Sequence, residues 1–193
     1  MTLGQTDGGS GLLADAEDRP KGAPDDHGPP ARLRSRPRWA LFIALAAVVV
    51  VLDQVTKALL VGALAPGERV AVVGDLLRLV HSQNSGALFG LFRDRAILFA
   101  AVSIVVLALI VWYEGKAGNG IVTTVALGLL LGGAIGNLID RLARGYVVDF
   151  VDAGIGGIRW YTFNVADAAI STAIVLLVAI ALVPRLGELG ASG

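Results

Sequence analysis

Residues 137–167 read NLIDRLARGYVVDFVDAGIGGIRWYTFNVAD. The stretch joins two long apolar runs, yet it carries Asn137, Asp140, Arg141, Asp149, Asn164 and Asp167. A carboxylate at the mouth of a membrane helix is costly and commonly functional. Asp149 and Asp167 are separated by a strand-like segment and an aromatic corner. They are the first candidates for an acid/base pair that hydrolyses a bond at the membrane surface.

Composition narrows the classes. Hydrophobic residues make up 55% of the chain and charged residues 17%, against roughly 25% charged in soluble domains. Sixteen basic residues balance sixteen acidic ones, so no bulk attraction to nucleic acid is expected. The aromatic share, 6%, gives no stacking platform for bases. The absence of cysteine excludes disulfides, thiolate metal sites and cysteine nucleophiles. His27 and His81 lie far apart, and Ser82, Ser85, Ser103 and Ser171 have no histidine partner in a recognisable motif. No metal and no other cofactor is expected.

Working outward, residues 1–38 are rich in Gly, Asp, Pro and Arg with no apolar period, which reads as a disordered tail. The tail ends in Arg32, Arg34, Arg36 and Arg38 before Trp39. It is too long for a signal peptide, so the run that follows reads as an uncleaved first membrane helix with a basic cytoplasmic flank. Four apolar runs follow, at Trp39–Leu64, Ala96–Tyr113, Ile121–Ile139 and Val165–Val183. Crossing the hydrocarbon core takes about 20 helical residues. The uninterrupted part of the first run, Trp39–Leu52, covers only about 21 Å, so that helix must carry Asp53, Gln54 and Lys57 into its outer end. Ala168–Val183 covers about 24 Å, which places Asp167 at the boundary.

The expected fold is a membrane all-α one, with four transmembrane helices and a small β-element on the outer, extracytoplasmic face. The domain spans residues 39–186, with the β-element at about 66–92 and 145–162, and residues 187–193 form a short tail. Arg69–Val73 and Leu76–His81 flank Gly74-Asp75, a hairpin signal. Further strands are expected at Tyr146–Val151 and Ile158–Tyr161 around a Gly154–Gly157 turn. The Gly-rich NSGALFG segment, 84–90, suggests close backbone approach, with Leu88, Phe89, Leu91 and Phe92 on the lipid surface.

In an antiparallel four-helix arrangement one face collects the end of the first helix, the start of the second, the end of the third and the start of the fourth. Those places hold Asp53 and Lys57, Asn84, Asn137 with Asp140 and Arg141, and Asn164 with Asp167. Every polar constellation of the membrane part falls on one side. The arginines before Trp39, with Lys116 and Arg185, put both termini in the cytoplasm, against Arg69, Arg78, Arg93 and Arg95 in the first outer loop. The polar face then looks outward.

Each constellation has a structural reading beside the functional one. Asp53 and Lys57, four apart on one helical face, form an interfacial ion pair with Lys57 snorkelling, or Lys57 touches a substrate head group or carbonyl. Asn137, Asp140 and Arg141 form a helix-end network in which Arg141 neutralises Asp140, or Arg141 holds the site together or grips an anionic lipid. Asn164 caps the last helix with Asp167 in its first turn, or both serve a site. Asp149 is an exposed strand position, or an acid out of place in a strand with high β-propensity. Two converging carboxylates cannot both ionise cheaply and tend to share one proton. The charged one then activates water while the neutral one protonates the carbonyl or leaving amine. Gly128, Gly132 and Gly136, four apart, form a stripe that lets helices approach closely.

LDQVTK (52–57), NSGALFG (84–90), GGAIGNLIDRLARGYVVDF (132–150) and FNVADAAI (163–170) resemble, in this order, the motifs of the bacterial lipoprotein signal peptidase (signal peptidase II) family of aspartyl endopeptidases. Ser85 stands where many members carry Thr. The resemblance covers all the membrane segments and leaves out the N-terminal tail. It implies that Asp149 and Asp167 are the catalytic dyad and that Asn164 and Asn137 orient the pair and the scissile carbonyl. Arg141, Asn84, Asp53, Lys57, Gly133 and Asp140 would complete the pocket and its support. It further implies diacylglyceryl-modified prolipoprotein substrates cut just before the lipidated cysteine, a place in the bacterial cell membrane, contact with membrane lipid, and inhibition by globomycin-type cyclic peptides.

Three other classes fit parts of the pattern. A small ion- or proton-coupled transporter also uses intramembrane charges, but such sites lie near the midplane, whereas these charges gather at one face. A structural membrane subunit would use the outer cluster for a partner or lipid. A metal hydrolase would draw on the carboxylates and His81.

Overall fold

The computed structural model describes residues 38–85, 96–116 and 120–190. The N-terminal tail and the Gly-rich loop with Leu88, Phe89, Leu91 and Phe92 lie outside the described residues. The elements run α1 (Trp39–Ala63), β1 (Arg69–Val73), β2 (Leu77–Asn84), α2 (Ala96–Lys116), α3 (Ile121–Arg144), β3 (Val147–Ile155), β4 (Ile158–Arg159), α4 (Val165–Leu182) and α5 (Arg185–Glu188). Four helices, α1 to α4, are long and apolar enough to cross a membrane. This is the helical membrane fold with a small sheet that the sequence leads one to expect.

α3 is the central post. It is the most buried of the four, and α1, α4 and α2 all pack on it. Its glycines explain how. A Cβ on Gly132 would lie 2.7 Å from the Ala46 carbonyl oxygen, and one on Gly128 would lie 3.1 Å from the Phe42 carbonyl, so that stripe presses on α1. Gly133 lies on the next face, where a Cβ would come within 2.5 Å of the Ala166 carbonyl of α4. Phe42, Ala46, Ile110, Leu127 and Leu131 form the apolar core between α1, α2 and α3. The outward faces of α1, α2 and α4 stay apolar and exposed, as at Ile43, Leu59, Leu109 and Val175, which suits a lipid solvent.

Several expected boundaries move. The third apolar run reads to Ile139, but α3 continues to Arg144, because Gly145 at φ 77° supplies the left-handed cap. Asn137, Asp140 and Arg141 therefore all lie within the helix, Asp140 and Arg141 beyond the expected end of the apolar run. The strands form one antiparallel sheet in the order β1-β2-β3-β4, with a hairpin turn at Gly74 (φ 47°). β3 runs past the expected Val151 to Ile155 and turns at Gly156 (φ 58°), inside the expected Gly154–Gly157 turn. Only Ile158 and Arg159 form β4; Trp160 N still donates to Ala153 O (2.7 Å), and the strand ends there, before Tyr161. Leu60, Val148 and Phe150, backed by Leu64, Leu79 and Val165, seat the sheet on the ends of α1 and α4. At the opposite end of the bundle, Gly120 N donates to Gly187 O (3.1 Å) and Ile121 N to Leu189 O (2.8 Å), so the segment after α4 satisfies the start of α3.

Gly132→Leu would drive a side chain into the backbone of α1. Overpacking of this kind costs about 1–3 kcal/mol, so the thermal transition in detergent should fall by about 2–10 °C. An unchanged transition would remove Gly132 from the packing account.

Candidate active site

Asp149 sits on β3 and Asp167 in the first turn of α4, and both line one cavity. Local structure aims each of them. The pairing of β2 with β3 shifts between Leu79 and Ser82, and the amides of Phe150 and Val151 both donate to Phe163 O, at 3.0 and 2.8 Å. This doubly irregular stretch bends the strand where Asp149 leaves it. Asp167 is fixed by a capping box: its amide donates to Asn164 Oδ1 (2.9 Å), and Asn164 N donates to Asp167 Oδ2 (3.2 Å).

Two asparagines join the carboxylates. Asn164 Nδ2 donates to Asp149 Oδ1 (2.8 Å) and to Asn137 Oδ1 (3.1 Å), and Asn137 Nδ2 donates to Asp167 Oδ1 (2.8 Å). On the far side Asn84 Nδ2 donates to Asp149 Oδ2 (3.0 Å). Asp149 is 2% exposed, which overturns its reading as an exposed strand position. Burial, helped by the negative charge of Asp167, pushes the Asp149 carboxyl up to about 7, against the opposing hydrogen bonds of Asn84 and Asn164 and the charge of Lys57.

Lys57 is 0% exposed. Its expected ion pair with Asp53 is present, but the side chain turns inward instead of snorkelling and does not line the cavity. Its Nζ contacts Asp53 Oδ2 (2.8 Å), Asp140 Oδ2 (2.9 Å) and Asn137 Oδ1 (3.2 Å). Asp53 Oδ1 accepts from Ala166 N (3.0 Å), and Asp140 Oδ2 accepts from Val148 N (3.0 Å). The partners of Asp140 are Lys57 and Arg144, not Arg141 as the helix-end network supposed. Arg141 instead donates to Asn137 O (3.3 Å), lies 5.7 Å from the Phe99 ring centroid and lines the cavity. Gly133 brings α3 and α4 together and does not line the cavity.

The cavity, about 920 Å³, is polar at Asn84, Asn137, Arg141, Asp149 and Asp167 and apolar along Val102, Val106, Ile170 and Ile174. The apolar part lies between α2 and α4, and each of those helices packs chiefly on α3. Sequence reasoning missed Gln54, whose Nε2 donates to Gly136 O (3.1 Å) and to Asp140 Oδ1 (3.3 Å); its place beside Asp53 was the available signal. It also missed Tyr161 in the cavity wall, whose hydroxyl burial and the charges of Asp149 and Asp167 hold above its ordinary value. Among the described residues, no group of three or more His, Asp or Glu side chains is placed to hold a metal ion. His81 is engaged elsewhere, with Nδ1 2.9 Å from Leu64 O.

The sequence model of the family described as signal peptidase (SPase) II matches residues 45–183. The lipoprotein signal peptidase of Geobacillus kaustophilus is 41% identical over 140 residues, covering 69% of this chain and 87% of that protein. That of Mycolicibacterium smegmatis is 39% identical over 169 residues, covering 83% and 68%. A bacterial membrane enzyme solved by the in meso method at 2.3 Å resolution superposes with a TM-score of 0.73 at 30% identity, covering 78% of this chain and 92% of that one. With the fold, the motifs and relatives near 40% identity in agreement, this chain belongs to the signal peptidase II family of aspartic peptidases.

Proposed function

We propose that this membrane enzyme removes the signal peptide from diacylglyceryl-modified prolipoproteins, cutting just before the lipidated cysteine, with Asp149 and Asp167 as its catalytic pair. The observation that carries the reading is the convergence of two carboxylates, linked through Asn164 and Asn137, at the polar end of a cavity whose other end is apolar. The acyl chains lie along Val102, Val106, Ile170 and Ile174, entering sideways between α2 and α4 from the bilayer. The scissile carbonyl then rests at the polar end beside the pair.

One proton is shared by the two carboxyls. The ionised one accepts a proton as water attacks the scissile carbon, while the protonated one donates to the carbonyl oxygen, giving a tetrahedral diol. Return of a proton to the amide nitrogen breaks the carbon–nitrogen bond, frees the new amino terminus on the lipidated cysteine and restores the shared proton. Asn137 and Asn164 hold the pair in register, and Asn84 fixes the second oxygen of Asp149. Arg141 is a fixed cation at the cavity edge that suits a lipid oxygen or the substrate backbone. The basic flank ending at Arg38 supports cytoplasmic termini in the bacterial cell membrane and an active site near the outer face. A globomycin-type cyclic peptide would occupy the same cavity and inhibit.

Purified enzyme given a diacylglyceryl-prolipoprotein should cleave it. Asp149→Asn and Asp167→Asn should each lose about 10²–10⁴-fold or more in turnover while keeping the thermal transition. Wild-type turnover in either variant would sink the assignment. Activity should also fall as pH rises through about 7, because the raised carboxyl of Asp149 holds its proton below that value and releases it above, leaving two anions. A rate flat from pH 6 to pH 9 would contradict the shared proton. Lys57→Met strips the cation from Asp53 and Asp140; removing one member of a buried ion cluster costs about 3–5 kcal/mol, so this variant should lose its folded state in mild detergent. A stable Lys57→Met enzyme would show that the cluster is dispensable.

A further inference from the structure

A second basin, about 470 Å³, lies on the sheet beside the catalytic cavity. The two share one wall, the segment from Arg159 to Thr162. The basin is lined by three guanidinium groups, Arg69, Arg78 and Arg159, against a single carboxylate, Asp152. Arg159 is tied to Asp152, with Nε to Oδ1 at 2.9 Å and Nη2 to the Asp152 carbonyl at 2.8 Å. Arg78 pairs with Asp75 on the exposed hairpin turn, and it faces Asp152 across β2 and β3. Arg69 sits on edge strand β1, exposed, and among the described residues its guanidinium makes no hydrogen bond or ion pair. The lining therefore keeps an excess of positive charge facing an open hollow. None of these three arginines has a part in the chemistry described above.

We infer that this basin is a subsite for acidic side chains of the substrate polypeptide just beyond the lipidated cysteine. The inference rests on the proposed function and deepens it. Once the acyl chains lie in the apolar cavity, the chain leaving the scissile bond runs away from the bilayer, and the sheet is the surface it meets. Ser82, opposite Asp149 on β2, forms the near rim of the basin, and Asp152 with its arginines lies three residues along β3 from Asp149, about 10 Å from the catalytic pair. An extended substrate covers that distance in about three residues. The preferred acid thus falls on about the third or fourth residue, with the lipidated cysteine counted first. Trp160, 74% exposed at the shared wall, gives the passing backbone an apolar ledge. Arginine forks suit carboxylates in this setting because they bind both oxygens at once.

The test uses the full chain in nanodiscs of phosphatidylcholine and three diacylglyceryl-prolipoprotein peptides that carry Asp, Asn or Lys at the third and fourth positions. Wild-type kcat/KM should fall in the order Asp, Asn, Lys, with about a 10-fold spread that resides in KM. The R69E/R78E enzyme should invert the order. Peptide binding to the inactive D149N enzyme should follow the same two orders, which separates this subsite from the fate of the catalytic reading. If the double variant does not fold, R69Q should narrow the spread without inverting it. One order shared by wild type and R69E/R78E, or a spread left unchanged in R69Q, would overturn the inference. So would an equal loss on all three peptides that appears only when phosphatidylglycerol is added, since that marks a lipid phosphate as the occupant.

Discussion

Everything at the sheet end of the bundle hangs on one buried ammonium. Lys57 sits with no exposed surface between Asp53 and Asp140. Each carboxylate also accepts from a backbone amide next to a candidate catalytic residue. Asp53 holds the amide of Ala166, beside Asp167, and Asp140 holds that of Val148, beside Asp149. The third ligand of Lys57, Asn137 Oδ1, belongs to the side chain that donates to Asp167. One helix, one strand and one asparagine are thus referenced to a single charge. Buried ion clusters are weak sources of net stability. Their strength is that few alternative arrangements satisfy all partners at once, and a site built from two distant chain segments needs that kind of uniqueness.

Such a cluster forms only if α1 and α3 come very close. Gly136 makes the room: a Cβ there would lie 2.6 Å from Asp53 Oδ2. The glycine stripe and the charge cluster are therefore one device. The small residues set the distance and the ions set the register. Gln54 bridges the two, since its amide touches both acids and the Gly136 carbonyl. In hydrocarbon an unpaired polar group has no water to fall back on, so each of these groups constrains the next.

The helices and the sidedness of the polar groups were legible because apolar runs of membrane length leave few arrangements. Asp149 was conspicuous because it is an acid set among Val147, Val148, Phe150 and Val151. What could not be read was direction. The spacing of Asp53 and Lys57 is the same whether lysine turns outward to water or inward to Asp140, and only the packing of α3 decides. Arg141 and Arg144 are both near Asp140 in sequence, and the partner is the residue one helical turn on, because Asp140 and Arg141 point to different faces. The single sheet was hidden because β2 and β3 are separated by two whole helices, a pairing no local pattern encodes. α5 escaped because its segment carries little apolar signal.

The gap between α2 and α4 sets the kind of concentration this enzyme responds to. A cavity that opens into the bilayer, on the proposed reading, is never empty: ambient lipid tails fill it until a substrate displaces them. Occupancy then depends on the mole fraction of lipidated substrate among all lipids in the leaflet, and not on its molarity in the suspension. Adding inert lipid or detergent at fixed enzyme and substrate would act as a competitive diluent. Saturation behaviour measured in one micelle system would carry over to another only when expressed on that two-dimensional scale.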